Sequence, residues 1–262
     1  MSLCSKFKKY SFVKATLSIK NHYLCARIQK SFPMLRFVLF VCILAGAVSS
    51  SIFSQPEEKK EVPQVKVTDR CLQLYREMDL EGRVNYAAFR QAVTGYYRIG
   101  GRKREVLTLI DFSKPSTQER LYVFDMKQRK MLFSSVVSHG KNSGNNYATS
   151  FSNEDGSLKS SLGFYLTEST YQGKNGYSLI LEGLEKGIND HARRRAIVMH
   201  GAAYANPSVI RNGGRLGRSF GCPAVPEKLS RPIIDAIKGG SVMYIYADRP
   251  DYLAQSTVLH TL

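Results

Sequence analysis

Residues 198–226 read VMHGAAYANPSVIRNGGRLGRSFGCPAVP, and the rest of the chain is organised around this stretch. It opens with an apolar run that ends in His200, crosses a glycine-rich loop, and closes on Ser219-Phe220-Gly221-Cys222. A thiol attacks a carbonyl as the thiolate, and a nearby imidazole can take up its proton. The stretch therefore predicts a cysteine nucleophile with a histidine base. The alternative is a buried cysteine and a strand-end histidine that never meet.

The spacing of the two residues is compatible with catalysis. His200 ends a predicted strand, which is a rigid place to mount a base. Cys222 comes 22 positions later, and a loop that leaves the strand and returns can bring the two together. Gly221 allows the backbone to approach a substrate closely, and the amides of Gly221 and Cys222 can stabilise an oxyanion.

The order of these residues argues against one class of enzyme. Papain-like hydrolases place the cysteine first and the histidine well downstream. Here only His260 follows Cys222, close to the end of the chain. The sequence contains no CxxC or HExxH pattern, and its five histidines are scattered. We therefore expect no metal site and no cofactor.

The charge of the chain is strongly basic but uneven. The 262 residues carry a net charge of +17, and residues 1–47 contain eight Lys or Arg and no Asp or Glu. The remainder has 30 basic and 21 acidic residues. Such a surface suits an anionic partner or is merely a generic basic surface. No RNA-recognition, helix-turn-helix or zinc-finger pattern is present, so we expect no nucleic-acid partner.

The N-terminal segment, residues 1–47, is predicted to target the protein for export. Basic residues precede an apolar run over 37–48, which is short for a spanning helix, and Ala45-Gly46-Ala47 resembles a cleavage site. Met34 is a second candidate start. An uncleaved segment would instead anchor the protein in the inner membrane, its only contact with a membrane. Residues 48–66, rich in Ser, Glu and Lys, are typical of a linker.

Cysteine usage follows from this prediction. Cleavage near Ala47 would remove three cysteines and leave Cys71 and Cys222. The two could pair as a disulfide in an oxidising compartment. However, Cys71 lies on an apolar helical stripe with Leu74 and Met78, which favours a buried and inert thiol. Cys222 would then be an unpaired, reactive thiol.

Two helices are predicted before the periodicity changes. Thr68 or Asp69 can cap a helix that runs to about residue 79. Asn85 can cap a second helix whose apolar face includes Phe89, Val93 and Tyr97. This helical extension, residues 67–101, is too small to stand alone, and we expect it to pack on the domain that follows.

The remaining residues, 102–250, predict a mainly β domain. Short runs rich in Val, Leu, Phe and Tyr are typical of strands. We place strands at 106–112, 119–126, 130–138, 162–167, 177–181, 196–199 and 241–247. A Gly-, Ser- and Asn-rich stretch, 139–160, is predicted to be a flexible loop, and one C-terminal helix is expected to begin at Ser230 or Pro232.

Several blocks resemble the murein L,D-transpeptidase catalytic domains, a divergent branch of the YkuD-type L,D-transpeptidases. They are VVSHGKNSG (136–144), FSN (151–153), SSLGFYLT (160–167), YSLILEGLEKGINDHA (177–192), RAIVMHGAAY (195–204) and GRLGRSFGCPAVP (214–226). The resemblance covers about 70–248. It implies a YkuD-like β-sandwich or barrel-like catalytic domain that acts outside the cytoplasm, in the periplasm or cell envelope.

The resemblance also implies roles for individual residues. Cys222 would be the nucleophile, His200 the base, and the carbonyl of Gly201 would orient the imidazole. Ser219 matches the family's hydroxyl position, and Gly221 and Tyr204 belong to the matching blocks as candidates for oxyanion or substrate contacts.

Two positions depart from the family's pattern. Phe220 stands where many relatives have His or Lys, and Ala224 stands where many have an arginine that binds substrate carboxylate. Arg215 or Arg218 could take over that function, or could be surface charges that order the loop. His139, in the predicted flexible loop, and His191 are weaker candidates for the site. His191 precedes three arginines, 193–195, that are typical of a solvated basic surface or of a patch that contacts the cell wall.

The implied reaction is acyl transfer on peptidoglycan stem peptides through a Cys222 thioester. An amine acceptor would give a cross-link, and water would make the enzyme an L,D-carboxypeptidase. A non-catalytic wall-binding module with the same fold is the alternative from another class. The sequence predicts no oligomeric state.

Overall fold

The computed structural model describes residues 64–260, which all belong to one compact unit. The predicted targeting segment and most of the predicted linker lie outside the described residues. Within residues 64–260, no helix combines the length and the apolarity that crossing a bilayer demands.

The chain begins with a helical pair, α1 (Gln64–Glu77) and α2 (Tyr86–Arg98). The predicted cap of α1 was wrong, because Thr68 lies inside the helix and residues 64–66, assigned to the linker, are helical. The apolar stripe was the better guide, since Cys71 is buried and forms no disulfide.

Helix α2 begins where Asn85 predicts, with the Asn85 side chain accepting hydrogen bonds from the amides of Ala87 and Ala88. Tyr97, predicted on the buried face, is 42% exposed, and Tyr96 is buried instead. The reason is the helical period: seven residues after Phe89 the buried stripe returns to position 96. The helix approaches the sheet at Gly95, where an added Cβ would lie 2.1 Å from the Phe164 ring.

Eight strands form one sheet in the described part of the chain, in the order β3-β2-β1-β8-β4-β5-β6-β7. They are β1 (Val106–Asp111), β2 (Leu121–Asp125), β3 (Lys130–Ser135), β4 (Gly163–Gly173), β5 (Gly176–Gly183), β6 (Val198–Gly201), β7 (Ala224–Val225) and β8 (Val242–Tyr246). The mainly β fold is therefore confirmed. The sequence did not predict β7, which has only two residues and pairs with β6.

The two edges of this sheet meet, which makes it barrel-like. Beyond β3 the chain continues alongside β7, where Ser138 pairs with Ala224 and Gly140 with Ser219. We call this contact the seam. Strand β7 runs parallel to β6, with His200 opposite Ala224. A parallel neighbour requires a long crossover, and residues 202–223 supply it.

The crossover and the C-terminal region contain the remaining helices. They are a 3-10 turn (Ala203–Ala205), α3 (Pro207–Gly213), α4 (Glu227–Ile237), α5 (Pro250–Gln255) and α6 (Thr257–His260). Helix α4 begins at Glu227, one turn before the predicted Ser230, because Pro226 provides the N-cap and its carbonyl accepts from the Ser230 amide.

The expectation of a single C-terminal helix was wrong, since α5 and α6 follow β8. Helices α5 and α6 are both short, and Glu185, the residue that anchors them, is distant from them in sequence. Glu185 is completely buried, and its carboxylate accepts hydrogen bonds from the Phe164 amide, the Tyr252 hydroxyl and the Ser256 hydroxyl. Local sequence carries no signal for such a contact.

Candidate active site

His200 lies at the end of β6 and is only 4% exposed. Its Nδ1 is 2.9 Å from the carbonyl oxygen of Gly201. Because a carbonyl only accepts, this bond places the ring proton of the neutral imidazole on Nδ1 and leaves a lone pair on Nε2. Gly201 is needed here for close packing, since an added Cβ would lie 2.7 Å from the Ser230 hydroxyl on α4.

Cys222 precedes β7 and is 9% exposed. Continuing the β6–β7 register back from His200 and Ala224 places Cys222 beside Val198, on the same face of the sheet as His200. From the strand spacing and the rise of two residues, the Cα atoms of His200 and Cys222 lie about 8 Å apart. The fold thus places these two side chains on neighbouring strands.

The thiol itself contacts the backbone at the start of β6. Its Sγ lies 3.5 Å from the Val198 amide nitrogen and 3.7 Å from the Ala196 carbonyl oxygen. The amide donates to sulfur and the thiol donates to the carbonyl. Among the described residues, no hydrogen bond joins Sγ to the imidazole of His200.

The electrostatics favour neutral groups in this arrangement. Burial raises the pKa of the Cys222 thiol, against a smaller lowering by the Val198 amide and by Arg195. Burial also lowers the pKa of His200, partly offset by its bond to Gly201. The resting protein therefore favours a thiol beside a neutral imidazole, with His200 available as a general base.

Gly221 and Ser219 shape the turn that presents the thiol. Gly221 has φ 130°, and an added Cβ would lie 2.8 Å from the Ile197 side chain and 2.9 Å from the Lys159 carbonyl oxygen. The Ser219 hydroxyl accepts from the Gly221 amide at 3.1 Å and donates to the Cys222 carbonyl at 2.6 Å. Ser219 is therefore used within the turn, and of the two expected oxyanion donors the Gly221 amide is already bonded.

The other sequence candidates have different positions. Tyr204 is half-buried, and burial together with the charge of a Cys222 thiolate raises its pKa to about 12. Arg218 donates from Nη1 to the carbonyls of Lys141 and Gly144, at 3.2 and 3.0 Å. Arg215 donates to the Leu216 carbonyl at 2.7 Å. Both arginines thus bond the main chain of neighbouring loops.

Phe220, one of the two residues that depart from the family's pattern, is 69% exposed next to Cys222. The Lys141 ammonium lies 4.9 Å from the centre of its ring, within the range of a cation–π contact. The surface beside Cys222 therefore presents an aromatic ring and a cation.

The predicted flexible loop, residues 139–160, is instead well packed, and its histidine is buried. Arg120, itself fully buried, donates to His139 Nδ1 at 2.9 Å and twice to the Val137 carbonyl. Burial, with a further contribution from Arg120, lowers the pKa of His139 to about 4. His139 supports the site through its carbonyl, which accepts from the Ser219 amide. His191 bonds Asn153 on the far side of this loop.

Arg195 is a residue near Cys222 that the sequence did not indicate. We expected residues 193–195 to be solvated; Arg193 and Arg194 are exposed and pair with Glu168 and Asp155, but Arg195 is half-buried. It acts on the charge of Cys222. Only its place directly before the strand distinguishes it in the sequence from its two neighbours.

No group of three or more His, Cys, Asp or Glu side chains suited to a metal ion occurs within residues 64–260.

Comparison with known proteins gives a family match. The model of YkuD_2, the L,D-transpeptidase catalytic domain, matches residues 80–246, which is more than half of the chain. The match contains His200, Cys222 and Arg195. No curated protein matches the chain.

Solved structures with some likeness are also L,D-transpeptidases. That from Mycobacterium smegmatis is 13% identical with a TM-score of 0.34, over 55% of this chain and 59% of its own. Those from Stackebrandtia nassauensis and Xylanimonas cellulosilytica are each 13% identical, with TM-scores of 0.33 and 0.32, over 68% of this chain and 76% and 93% of theirs. The chain thus spans about three fifths of the length of the Mycobacterium smegmatis protein. These scores are low, so the family assignment depends on the match to residues 80–246.

Proposed function

This chain belongs to the family of L,D-transpeptidase catalytic domains, and from that premise we propose that it is an exported cysteine acyltransferase acting on peptidoglycan stem peptides. The observation that supports this most directly is the parallel pairing of β6 with β7. Cys222 lies two residues before Ala224, the partner of His200 in this pairing, so the register supports a buried thiol and a buried imidazole close to each other. The bond from His200 Nδ1 to Gly201 leaves Nε2 free to accept a proton.

The proposed reaction begins with proton transfer from the thiol to His200. Because the resting thiol points to the Ala196 carbonyl, Sγ first rotates toward Nε2. The sulfur then attacks the carbonyl of the L-centre of a diaminopimelate-type residue in a donor tetrapeptide. The Cys222 amide, which lies beside its own sulfur, is the donor available to the oxyanion.

The acyl-enzyme forms when the tetrahedral intermediate collapses. The C–N bond breaks, D-alanine leaves with the proton held by His200, and a thioester to Cys222 remains. An amine of a second stem peptide then attacks the thioester, His200 takes the amine proton, and the thiol is regenerated. Attack by water would give the L,D-carboxypeptidase reaction instead.

The first experiment tests the nucleophile. Incubation with a carbapenem should add one acyl group to Cys222, located by peptide mass mapping. Cys71→Ala is the matched control, since Cys71 is the other buried free cysteine of the described residues and lies in the helical pair. The control should still be acylated and Cys222→Ala should not. A folded protein that takes up no acyl group would refute the enzyme hypothesis in favour of a wall-binding module.

The second experiment identifies the reaction. The protein is incubated with disaccharide-tetrapeptide and the products are weighed by mass spectrometry. Cross-linked dimers would establish transpeptidation, and tripeptides alone would establish carboxypeptidation. Since His200 is the proposed base, His200→Ala should lower either rate by at least ~100-fold. An unchanged rate would contradict the role of His200.

Export is proposed from the basic and apolar composition of residues 1–47. The proposed location is the periplasm or cell envelope. If residues 1–47 are not cleaved, they would anchor the protein in the inner membrane. Expression of the full chain followed by N-terminal sequencing of the mature protein tests this. A mature N-terminus near residue 48 would support cleavage, and an intact N-terminus on a protein recovered from the cytoplasm would refute export.

A further inference from the structure

Arg195 stands where three segments of the site meet. It follows the turn after β5 and directly precedes Ala196, a non-glycine residue with φ 54° whose carbonyl contacts the Cys222 thiol. Its amide donates to the His191 carbonyl, and so the turn fixes its backbone. Its side chain points away from the exposed arginines 193 and 194 and toward the turn over residues 219–222, which we call the nucleophile turn.

The guanidinium binds one loop through four hydrogen bonds. Nη1 donates to the Ser152 carbonyl at 2.7 Å and to the Ser161 hydroxyl at 2.6 Å. Nη2 donates to the Ser157 hydroxyl at 3.2 Å and to the Lys159 carbonyl at 2.6 Å. A planar fork of donors suits such a set of acceptors, and an ammonium could satisfy only some of them.

The same loop touches the nucleophile turn. The Ser160 hydroxyl donates to the Gly221 carbonyl at 3.1 Å and accepts from the Gly140 amide at 3.0 Å. An added Cβ on Gly221 would lie 2.9 Å from the Lys159 carbonyl and 3.5 Å from Arg195 Nη2. The guanidinium therefore binds the loop, and the loop contacts the residue before Cys222.

The positive charge of Arg195 is not neutralised by direct contact with a carboxylate. No Asp or Glu in residues 64–260 lies within salt-bridge distance of it, whereas Arg193 pairs with Glu168 and Glu182 and Arg194 pairs with Asp155. Arg195 is the charged side chain that favours the Cys222 thiolate. Tyr204 of the 3-10 turn also interacts with the charge of the thiolate, and His200 lies on the neighbouring strand β6. The Lys141 ammonium lies over the Phe220 ring.

We propose that Arg195 is a positioning residue for Cys222, which fastens the 152–161 loop against the nucleophile turn and supplies a fixed positive charge to the developing thiolate. The reaction in which it acts rests on the proposed function. A half-buried cation acts on a nearby charge more strongly than a solvated one, because less water screens it. Arg195 thus makes a buried thiol easier to deprotonate.

The test measures ionisation of the thiol and needs no peptidoglycan substrate. Thiolate is followed by its ultraviolet absorbance as a function of pH, with Cys222→Ser subtracted, and by the rate of alkylation with iodoacetamide. Arg195→Gln should move the midpoint to higher pH and slow alkylation at neutral pH by at least ~10-fold. Arg194→Gln, an exposed neighbour with one ion pair, is the matched control and should leave both unchanged.

Arg195→Lys separates charge from loop attachment. It keeps the charge and loses part of the fork, so the midpoint should stay within a few tenths of a pH unit of wild type while proteolysis within 152–161 accelerates. Circular dichroism at each pH confirms that the variants are folded.

An unchanged midpoint in folded Arg195→Gln would overturn the proposal, as would equal shifts in the Gln and Lys variants. If carbapenem fails to acylate a wild-type protein whose midpoint does depend on Arg195, the proposed function fails and the role of Arg195 stands.

Discussion

Replacing Gly221 with alanine tests the geometry of the nucleophile turn directly. The residue has φ 130°, a region that side-chain-bearing residues rarely adopt, and holding one there costs about 1–3 kcal/mol. The new methyl group would also lie 2.8 Å from the Ile197 side chain and 2.9 Å from the Lys159 carbonyl. The side chain can give way, but the carbonyl is held by Arg195, so the overlap adds about 1 kcal/mol or more.

Together these effects predict that Gly221→Ala lowers the free energy of unfolding by about 2–4 kcal/mol. For a domain of this size the melting temperature should fall by roughly 5–15 °C. Acylation of Cys222 should slow as well, because the turn must shift to admit the methyl group. Urea denaturation followed by circular dichroism gives the first quantity, and mass spectrometry of the adduct gives the second.

Gly213→Ala is the matched control. Gly213 ends α3 in the same crossover, and an added Cβ meets nothing within 4 Å. We expect its free energy of unfolding to stay within about 0.5 kcal/mol of wild type, or to rise slightly. If Gly221→Ala were as stable and as reactive as Gly213→Ala, the account of this turn would be refuted.

Three further predictions concern stability. Burial lowers the pKa of His139 from 6.5 to about 4, so between these pH values the unfolded chain binds a proton that the folded chain does not. The free energy of unfolding should therefore fall by about 3 kcal/mol as the pH drops from 6.5 to 4. In urea denaturation at both pH values, His139→Gln should not show this decrease. Glu185→Ala leaves three buried donors without their acceptor and should lower the free energy of unfolding, measured by urea denaturation, by about 3–5 kcal/mol. The control Glu154→Ala, at an exposed residue, should lower it by under about 0.5 kcal/mol, and equal losses would contradict the anchoring of α5 and α6. Asn85→Ala should lower the melting temperature by an amount equivalent to about 1 kcal/mol, and Asn85→Ser should restore most of it if capping is the cause.

Local patterns predicted the elements that local interactions create. Asn85 begins α2 because its side chain caps the helix, whatever lies farther away. Residues 127–129, between two of the predicted strands, form a turn because the Asp125 carboxylate accepts from the amides of Lys127 and Gln128. Most strands were found because their apolar runs are buried in the sheet.

The features that were missed depend on distant partners. Residues 139–160 have the composition of a flexible loop, yet contacts with Arg195, Gly221 and Ser219 order them. Arg195 has the same local sequence context as the two exposed arginines before it. Only the folded turn makes its side chain point inward while theirs point to solvent. His200 and Cys222 could be named as a pair from chemistry and resemblance, but the resting contacts of the thiol with Val198 and Ala196 could not.

The seam has a consequence for the order of folding. It joins residues 138–140 to residues 219–224, segments roughly eighty positions apart in the chain, and such contacts form late because the intervening loop must first be closed. The residues that bury and orient Cys222 come from both sides of this closure. A chain that has formed only its hairpins carries an ordinary solvated cysteine. The ionisation of Cys222 thus depends on the closed seam, and the moment at which the thiol acquires its native pKa would report when the seam closes.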